Sequence, residues 1–299
     1  MQDYQQPSNQ YAPEAVENPR IKSMKSFFKR LGRNKPAMVG AFLILFLIIV
    51  SMIGPQFTSL NPNSGDYAVK LQGPSADHWF GTDHHGRDIF TRIIHGMSLT
   101  FYVGFSSVAL GAIVGTIFGV ISGYYGGRLD NIIMRITDVL LAFPGILLAL
   151  AIVSVLGPSM NNVIIAVALF SVPVFARIAR GSALTVRKLE YVDAVKALGA
   201  SDFRIIFKHI LPNITSPLIV QATLSIATAI LTAAGLSFLG LGAQPPTPEW
   251  GAMLADGRNY MYDAGHVALF PGLAIVLVVL AFNLFGDGLR DALDPKLRD

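Results

Sequence analysis

Four histidines fall within one polar stretch, residues 57–98, where metal binding is the first chemistry to consider. They are His78, His84, His85 and His95. Imidazole is a common ligand of transition metals. However, His84 and His85 are adjacent, and neighbouring side chains on one chain rarely converge on a single ion. The chain also has no cysteine, which excludes thiolate ligands and disulfide bonds. We therefore predict no metal site in this stretch.

A second concentration of charge interrupts an otherwise apolar part of the chain. This segment, residues 190–213, reads EYVDAVKALGASDFRIIFKHILPN. Apolar residues recur at helical spacing on both sides of Gly199: Val192, Val195 and Leu198 before it, and Phe203, Ile206 and Ile210 after it. Glycine suits the left-handed end of a helix, and Ser201 is a good N-cap. The pattern predicts two short helices joined by a tight turn, with Pro212 ending the second or opening the next helix.

Such a pair of helices has two interpretations. It has the shape of a knob that docks on a partner, and it is also typical of an ordinary hairpin that packs its apolar side on its own helices. Composition alone leaves both open.

The common signatures of catalysis are missing from the sequence. It contains no G-x-x-x-x-G-K-[ST] phosphate loop, no H-E-x-x-H and no G-x-S-x-G, so it offers no usual cradle for ATP and no recognisable hydrolase centre. No basic run is interleaved with aromatic residues, which argues against nucleic acid as a partner. We predict that the chain is not an enzyme and that it binds no cofactor of its own.

Long runs with almost no charge make up the elements that must position these residues. The chain is 52% hydrophobic and 14% charged, whereas an ordinary soluble domain has about 25% charged residues. Six runs approach the ~20 residues needed to cross a bilayer: 37–54, 99–127, 139–157, 162–176, 217–240 and 268–286. We predict an all-α polytopic membrane protein with six transmembrane helices. A cleaved signal peptide is the alternative for the first run.

Basic residues set the expected orientation. Seven precede the first run, with no acidic residue after Glu17: Arg20, Lys22, Lys25, Lys29, Arg30, Arg33 and Lys35. By the positive-inside rule the N-terminus is cytoplasmic, and six crossings return the C-terminus to the same side. The predicted organisation is a cytoplasmic tail and basic juxtamembrane segment (1–35), a first transmembrane helix (36–56), an extracytoplasmic loop (57–98), a five-helix core (99–289) with a cytoplasmic loop at 184–213, and a cytoplasmic tail (290–299).

One of the apolar runs has a face made of glycine. Gly111, Gly115, Gly119 and Gly123 recur every four residues, so they lie on one side of a helix and let another backbone approach closely. This face predicts tight helix packing within or between subunits. The alternative is a smooth wall along a substrate pathway.

Several motifs together resemble one family, the permeases of binding-protein-dependent ABC importers. In the charged segment the match is Asp193-Ala194-Val195, Gly199 and His209-Ile210-Leu211-Pro212. The stretch GTDHHGRDIFTRIIHG, residues 81–96, resembles the signature of the oligopeptide, dipeptide and nickel subfamily, in its second or "C" subunit. So do residues 138–151, 239–258 and 282–295. The likeness covers nearly the whole chain after about residue 25.

The resemblance implies a type I ABC importer permease fold and a set of partners. These are a second homologous permease subunit, two ABC ATPase subunits that use ATP and Mg²⁺, an extracytoplasmic substrate-binding protein, and membrane lipid. The implied location is the inner membrane of a bacterial or archaeal cell. The implied cargo is oligopeptides or dipeptides. The alternatives are a nickel chelate or another small solute and, from another class, a stand-alone secondary carrier or channel.

The resemblance also assigns roles to residues. Gly199 would allow the bend of an ATPase-coupling loop and Asp193 would offer a carboxylate to a cation on the ATPase. The small apolar docking face of this coupling loop would consist of Ala194, Ala197 and Leu198. The motif would end with Leu211 and Pro212. In the other motif, Gly81, Asp83, Gly86, Arg87 and Asp88 would shape the outer mouth or receive the binding protein. Residues 245–250 would share that role, with Trp250 as an interfacial anchor. The charges of Asp83, Arg87 and Asp88 predict pairing among them at the membrane surface.

Overall fold

The structure is a computed structural model that describes residues 19–293, with side chains from residue 26 onward. Residues 1–18 of the predicted N-terminal tail and residues 294–299 of the predicted C-terminal tail lie outside the described residues. Over the described range the chain forms eleven α-helices and no β-strand. The described part of the basic juxtamembrane segment is helical over Pro19–Arg33.

The helices follow one another with short connections, apart from the stretches before α3 and α10. Their bounds are α1 (Pro19–Arg33), α2 (Lys35–Phe57), α3 (Ile89–Tyr125), α4 (Gly127–Ala142), α5 (Gly145–Leu156), α6 (Met160–Arg187), α7 (Glu190–Ala197), α8 (Asp202–Ile205), α9 (Leu211–Phe238), α10 (Trp250–Arg258) and α11 (His266–Leu293). A 3₁₀ turn forms at Tyr67–Val69 and a π-helical turn at Ile206–Ile210.

Five helical stretches are long and apolar enough to cross a membrane. They are Lys35–Phe57, Ile89–Tyr125, Met160–Arg187, Asp202–Phe238 and His266–Leu293. A sixth crossing is obtained if α4 and α5 are counted together. The predicted all-α polytopic fold is therefore confirmed over the described residues.

The third predicted span was expected to be one continuous helix, and the structure shows that it is not. It is divided into α4 and α5, whose axes meet at 93°. Phe143 and Pro144 form the break, both with extended ψ angles. Proline lacks a backbone N–H and disfavours the helical region for the preceding residue, which accounts for a break at this point of the run 139–157, although Pro173 and Pro271 remain inside α6 and α11.

The second span begins ten residues before its predicted start at Leu99. Asp88 caps α3 by accepting a hydrogen bond of 2.7 Å from the backbone N–H of Thr91. The last quarter of the predicted loop 57–98, residues 89–98, is therefore helical. With 37 residues, α3 is about 55 Å long, well beyond the ~30 Å of a bilayer core.

α3 and α6 form the most extensive helix contact among the described residues; α9 packs against both, and α11 packs mainly on α2, α9 and α10. A first hydrophobic core surrounds the middle of these helices, with Phe175, Ile230 and Val278 fully buried. α2 lies along α11 of the same chain, where Gly40 faces the backbone of Ala281 and Phe285.

Candidate functional site

The charged segment forms a compact connection between α6 and α9. Because α6 continues to Arg187 and α9 begins at Leu211, the predicted loop 184–213 is reduced to residues 188–210, called here the α6–α9 connection. It contains α7, a turn at Gly199, α8 and the π-helical turn. Pro212 lies in the first turn of α9, where its missing N–H costs no hydrogen bond.

The turn at Gly199 has the geometry that the sequence predicts. Gly199 adopts φ +84°. Its N–H donates to the carbonyl of Lys196 at 3.0 Å, and the N–H of Ala200 donates to the carbonyl of Val195 at 3.3 Å, which is a Schellman helix end. Ser201 caps α8 by accepting from the N–H of Arg204 at 3.4 Å. The α6–α9 connection is thus a helix-turn-helix knob with a glycine at its tip.

A small hydrophobic core of its own attaches the knob to the bundle. Val192, Ile205 and Ile210 are buried. They pack in one cluster with residues from the end of α3 and the end of α6, namely Val120, Tyr124, Ala179, Ala183 and Val186. The α6–α9 connection is therefore rigidly placed against two long helices.

The predicted apolar face of the second short helix is wrong at one of its three positions, Phe203, since Ile210 is buried and Ile206 packs against the same cluster. Phe203 is 70% exposed, whereas Ile205 is fully buried. A π-helical turn at Ile206–Ile210 follows directly, and its extra residue shifts the positions that face the bundle. Phe203 and Phe207 instead pair outside, with ring centroids 4.3 Å apart.

The outward side of the knob carries apolar groups among charges. Asp193, Ala194, Ala197 and Gly199 are exposed, and Leu198 at the tip is 87% exposed. Nothing lies within 4 Å of the position that a Cβ on Gly199 would take. A fixed projection with solvent-exposed Leu198 and Phe203 is typical of a surface that binds another protein.

A hydrogen bond ties the knob to α3. The hydroxyl of Tyr124 donates to Oδ1 of Asp202 at 2.6 Å, and the guanidinium of Arg187 lies 5.8 Å from the centre of the Tyr124 ring. These three residues come from α3, α8 and α6. Tyr124 was missed by the sequence reasoning because it ends an apolar run and belongs to no motif.

The 81–88 loop directly precedes the first residue of α3, at the end of that helix opposite Tyr124. Its hydrogen bonds are centred on Asp83. One carboxylate oxygen of Asp83 accepts from the backbone N–H groups of His85 and Arg87, at 2.8 and 3.0 Å. The other accepts from Nε of Arg87 at 2.6 Å. Both side chains are only 7% exposed, so this ion pair is largely removed from water. Asp83 and Arg87 pair as predicted.

Glycine is required twice in this loop. Gly81 and Gly86 have φ +75° and +72°, a region that residues with a Cβ rarely adopt. A Cβ on Gly86 would also run into the backbone of Asp66. Asp88 caps α3, and its Oδ2 lies in hydrogen-bond contact with Nδ1 of His78 at 3.0 Å. The motif is therefore a structural device that fixes the beginning of α3.

The loop is linked to the segment around α10. Arg92 donates to the carbonyl oxygens of Pro62 and Pro246, at 2.6 and 3.2 Å. Trp250 donates from Nε1 to the carbonyl of Ile93 at 3.1 Å and is 1% exposed. The expectation of Trp250 as an interfacial anchor is thus wrong, because its indole fills the space between α3 and α10.

Outside the long membrane helices, Glu249 and His84 of this region have shifted pKa values. Burial raises the pKa of Glu249, which caps α10 by accepting from the N–H of Ala252 at 2.8 Å. Burial, and then the charge of His85, lower the pKa of the His84 imidazole. The His84 ring is stacked on Tyr260 at 5.4 Å, so it behaves as a packed neutral ring at neutral pH.

The four histidines do not converge on one point, although the ring centroids of His84 and His85 lie 4.0 Å apart. His78 contacts Asp88, His85 contacts the hydroxyl of Tyr67 at 3.2 Å, and His95 contacts Thr58 at 3.0 Å. Among residues 19–293, no group of three histidine, cysteine or acidic side chains could hold a metal ion.

The glycine face of α3 packs against α6. Cβ atoms added at Gly111, Gly115, Gly119 and Gly123 would each meet backbone of α6, for example the carbonyl oxygen of Val172 at 2.5 Å from Gly115. All four glycines are buried. The face is therefore occupied by a helix of the same chain, and it does not border open space.

Ion pairs join α6 to α4. Arg180 binds Asp130 with two hydrogen bonds of 2.6 and 2.7 Å, and Arg177 binds Asp138 at 2.6 Å. Ser122 of α3 also donates to Asp130. Asp130 was not singled out, because its partner lies 50 positions further along the chain.

The chain matches two family models. Residues 115–299 match the binding-protein-dependent transport system inner membrane component. Residues 23–74 match the N-terminal TM domain of oligopeptide transport permease C. The first match covers more than half of the chain. This protein belongs to the family of inner-membrane permeases of binding-protein-dependent ABC importers. The identification from the 81–96 and 190–213 motifs is confirmed.

Characterised relatives of this permease are similar over nearly their whole length. It is 52% identical over 278 residues to a dipeptide transport system permease protein, DppC, from Alkalihalophilus pseudofirmus, covering 93% of this chain and 91% of that relative. It is 50% identical over 275 residues to a glutathione transport system permease protein, GsiD, from Pectobacterium atrosepticum, covering 92% and 91%.

Solved structures share the fold of the permease core. The inward-facing MetNI methionine ABC transporter superposes with a TM-score of 0.56 at 20% identity, over 69% of this chain and 98% of that chain. An amino acid ABC transporter crystallised with histidines gives a TM-score of 0.51 at 14% identity, over 66% and 92%. The type I ABC importer permease fold is thereby confirmed. As a permease of this kind, the protein is a multi-pass membrane protein that works with ATPase and substrate-binding partners.

Proposed function

We propose that this permease imports short peptides and that the α6–α9 connection receives the movement of an ATPase subunit. One observation carries the proposal. The connection holds an exposed Leu198 and a left-handed Gly199 at the tip of a knob that is anchored in its own core. A projection of this kind fits a groove on a protein partner.

Each part of the knob has a task in this proposal. Leu198, with Ala194 and Ala197, enters an apolar groove of the ATPase, and Asp193 pairs with a cation at the rim. Leu211 and Pro212 open α9, so a displacement of the knob moves a helix of 28 residues. ATP and Mg²⁺ are bound by two ATPase subunits and not by this chain. A second homologous permease subunit completes the pathway.

The opposite end of α3 faces the extracytoplasmic side in this proposal, and both termini are cytoplasmic. The basic residues around α1 support that orientation. The rigid 81–88 loop and its neighbours then present the surface to which a binding protein delivers substrate.

The cargo is proposed from the relatives. DppC is named for dipeptide transport and GsiD for glutathione transport, and both cargoes contain amino acids joined by amide bonds.

Uptake measurements test the cargo and the knob together. Labelled tripeptide and labelled nickel are supplied to cells that lack the gene and to cells complemented with wild type, Gly199→Val or Gly199→Asn. Asparagine tolerates a positive φ whereas a β-branched residue does not, so Gly199→Asn is the matched control. We expect peptide uptake with wild type and Gly199→Asn, and its loss with Gly199→Val at unchanged membrane levels.

Other outcomes separate the two parts of the proposal. Uptake of nickel alone would replace the cargo and keep the machinery. Peptide uptake at the wild-type rate in Gly199→Val would exclude the knob as the coupling site. Because the chain has no cysteine, Ala197→Cys gives a single site for a membrane-impermeant thiol reagent. Labelling from outside intact cells would contradict the proposed orientation.

A further inference from the structure

An apolar groove of about 670 Å³ lies beside the start of α11. It is bounded by the end of α9, by α10 and by one face of α11, with Phe238, Leu254, Leu269, Leu273 and Val276 in its walls. Arg258 is the one charged or hydrogen-bonding side chain among the described residues that line it. The groove belongs to neither the α6–α9 connection nor the 81–88 loop.

The position of Arg258 gives the groove two chemically different ends. Its guanidinium lies 5.3 Å from the centre of the Phe238 ring, and this cation–π contact holds the charge at the groove. Arg258 is exposed. Within the described residues, no carboxylate pairs with its guanidinium. A fixed guanidinium without a counter-ion is suited to a phosphate group, which it can bind with two hydrogen bonds.

The apolar part of the groove has the length of one membrane leaflet. The lining positions 265, 268, 269, 272, 273 and 276 follow helical spacing, so they form a single stripe. From Gly265 to Val276 the stripe extends about 17 Å at the helical rise. Half of a bilayer core is about 15 Å. A guanidinium beside an apolar channel of this length matches the shape of a lipid.

We propose that this groove binds a phospholipid, with the phosphate of the headgroup on Arg258 and an acyl chain along Leu269 and Leu273. A peptide fits less well, because its amide groups would be buried against a wall that offers them one polar partner. A helix of another subunit would have to bring an acidic residue to Arg258 at the same place. An anionic phospholipid supplies both the charge and the apolar chain.

Lipid retention by the assembled transporter tests this inference and does not depend on the cargo. The complex is reconstituted in nanodiscs that contain phosphatidylglycerol, then transferred to detergent, and retained lipid is counted by native mass spectrometry. Arg258→Gln removes the charge. Gly272→Leu fills the groove, since a Cβ there would meet Leu254 only at 3.7 Å. Lys70→Gln is the control, an exposed cation outside the groove.

The expected result is specific to the two groove variants. We expect phosphatidylglycerol retention to fall about fivefold in Arg258→Gln, the effect of one basic residue near an anionic membrane surface. We expect it to fall at least as far in Gly272→Leu and to stay unchanged in Lys70→Gln. Retention equal to wild type in either groove variant would overturn the proposal. So would loss of the second permease subunit from the purified Gly272→Leu complex, because the groove would then be a protein interface.

Discussion

The hydroxyl of Tyr124, at the end of α3, donates a hydrogen bond of 2.6 Å to Oδ1 of Asp202, the first residue of α8. The same α3 begins at the 81–88 loop, about 55 Å away. One rigid helix therefore connects the knob of the α6–α9 connection with the loop that fixes the other end of the bundle. Displacement of the knob acts directly on this helix.

Removing the Tyr124 hydroxyl should weaken coupling without unfolding the permease. Tyr124→Phe keeps the ring beneath Arg187 and loses one hydrogen bond to a carboxylate, which is worth about 1.5–3 kcal/mol. We expect peptide transported per ATP hydrolysed to fall several-fold in proteoliposomes while the ATPase subunits remain bound.

Two further variants control for this interpretation. Tyr125→Phe changes the neighbouring tyrosine, which is 51% exposed, and should leave the transport ratio unchanged. Asp202→Asn keeps an acceptor oxygen for Tyr124 and should retain most of the coupling. A transport ratio at the wild-type value in Tyr124→Phe would show that the bond only supports the local fold.

Truncation of Asp83 should destabilise the 81–88 loop strongly. Asp83→Ala removes the close counter-ion of the buried Arg87, leaving it only Asp256 at 3.9 Å, and leaves two backbone N–H groups without their acceptor. Breaking one partner of a buried pair costs about 3–5 kcal/mol. The melting temperature of the detergent-solubilised complex should drop, whereas Asp77→Ala, at an exposed position, should change it little. Equal melting temperatures for the two variants would contradict a buried role for Asp83.

Two glycine positions in neighbouring helices should respond oppositely to one methyl group. A Cβ at Gly115 would lie 2.5 Å from the carbonyl of Val172 and 2.6 Å from Cβ of Phe175, so Gly115→Ala must push α3 and α6 apart. Gly181 in α6 has nothing within 4 Å, and alanine there gains about 1 kcal/mol of helix propensity. We expect a lower melting temperature for Gly115→Ala and an equal or higher one for Gly181→Ala. A stable Gly115→Ala protein would refute the close approach.

Glu249 should make stability depend on pH. Because burial raises its pKa above the ordinary value of 4.5, the folded state holds this proton more tightly than the unfolded chain. The resulting stabilisation is complete below pH 4.5 and is lost as pH rises through the higher folded value. Glu249→Gln keeps an acceptor for Ala252 and removes the charge.

Melting temperatures between pH 4.5 and pH 8 measure this effect. We expect the loss of stability with rising pH to be smaller in Glu249→Gln than in wild type, whereas Asp263→Asn, at an exposed position, should follow the wild-type profile. Parallel profiles for wild type and Glu249→Gln would rule out a buried carboxyl that prefers its proton.

Local patterns allowed several features to be predicted correctly. The Gly199 turn and the Ser201 cap depend on backbone preferences of one or two residues, which are present in any sequence context. The apolar runs depend on the thickness of the bilayer, which sets the length of a crossing helix. The Asp83–Arg87 pair is four residues apart, so a short loop is enough to bring it together.

Contacts between residues that lie far apart in the chain could not be predicted from the sequence. Asp130 and Arg180 lie 50 positions apart, and Tyr124 and Asp202 lie 78 apart. Trp250 was expected at a membrane interface and is buried against Ile93, 157 positions away. In each case the partner is supplied by the packing of whole helices.

The amino-acid sequence by itself determined the all-helical membrane fold, the family and the glycine turn of the α6–α9 connection, because hydropathy, motif spacing and backbone preference are local properties. Only the tertiary structure decided that α4 and α5 meet at 93°, that Phe203 faces outward while Ile205 is buried, and that Arg258 stands at an apolar groove. These depend on which surfaces helices bury against one another, a free-energy balance that involves the whole bundle.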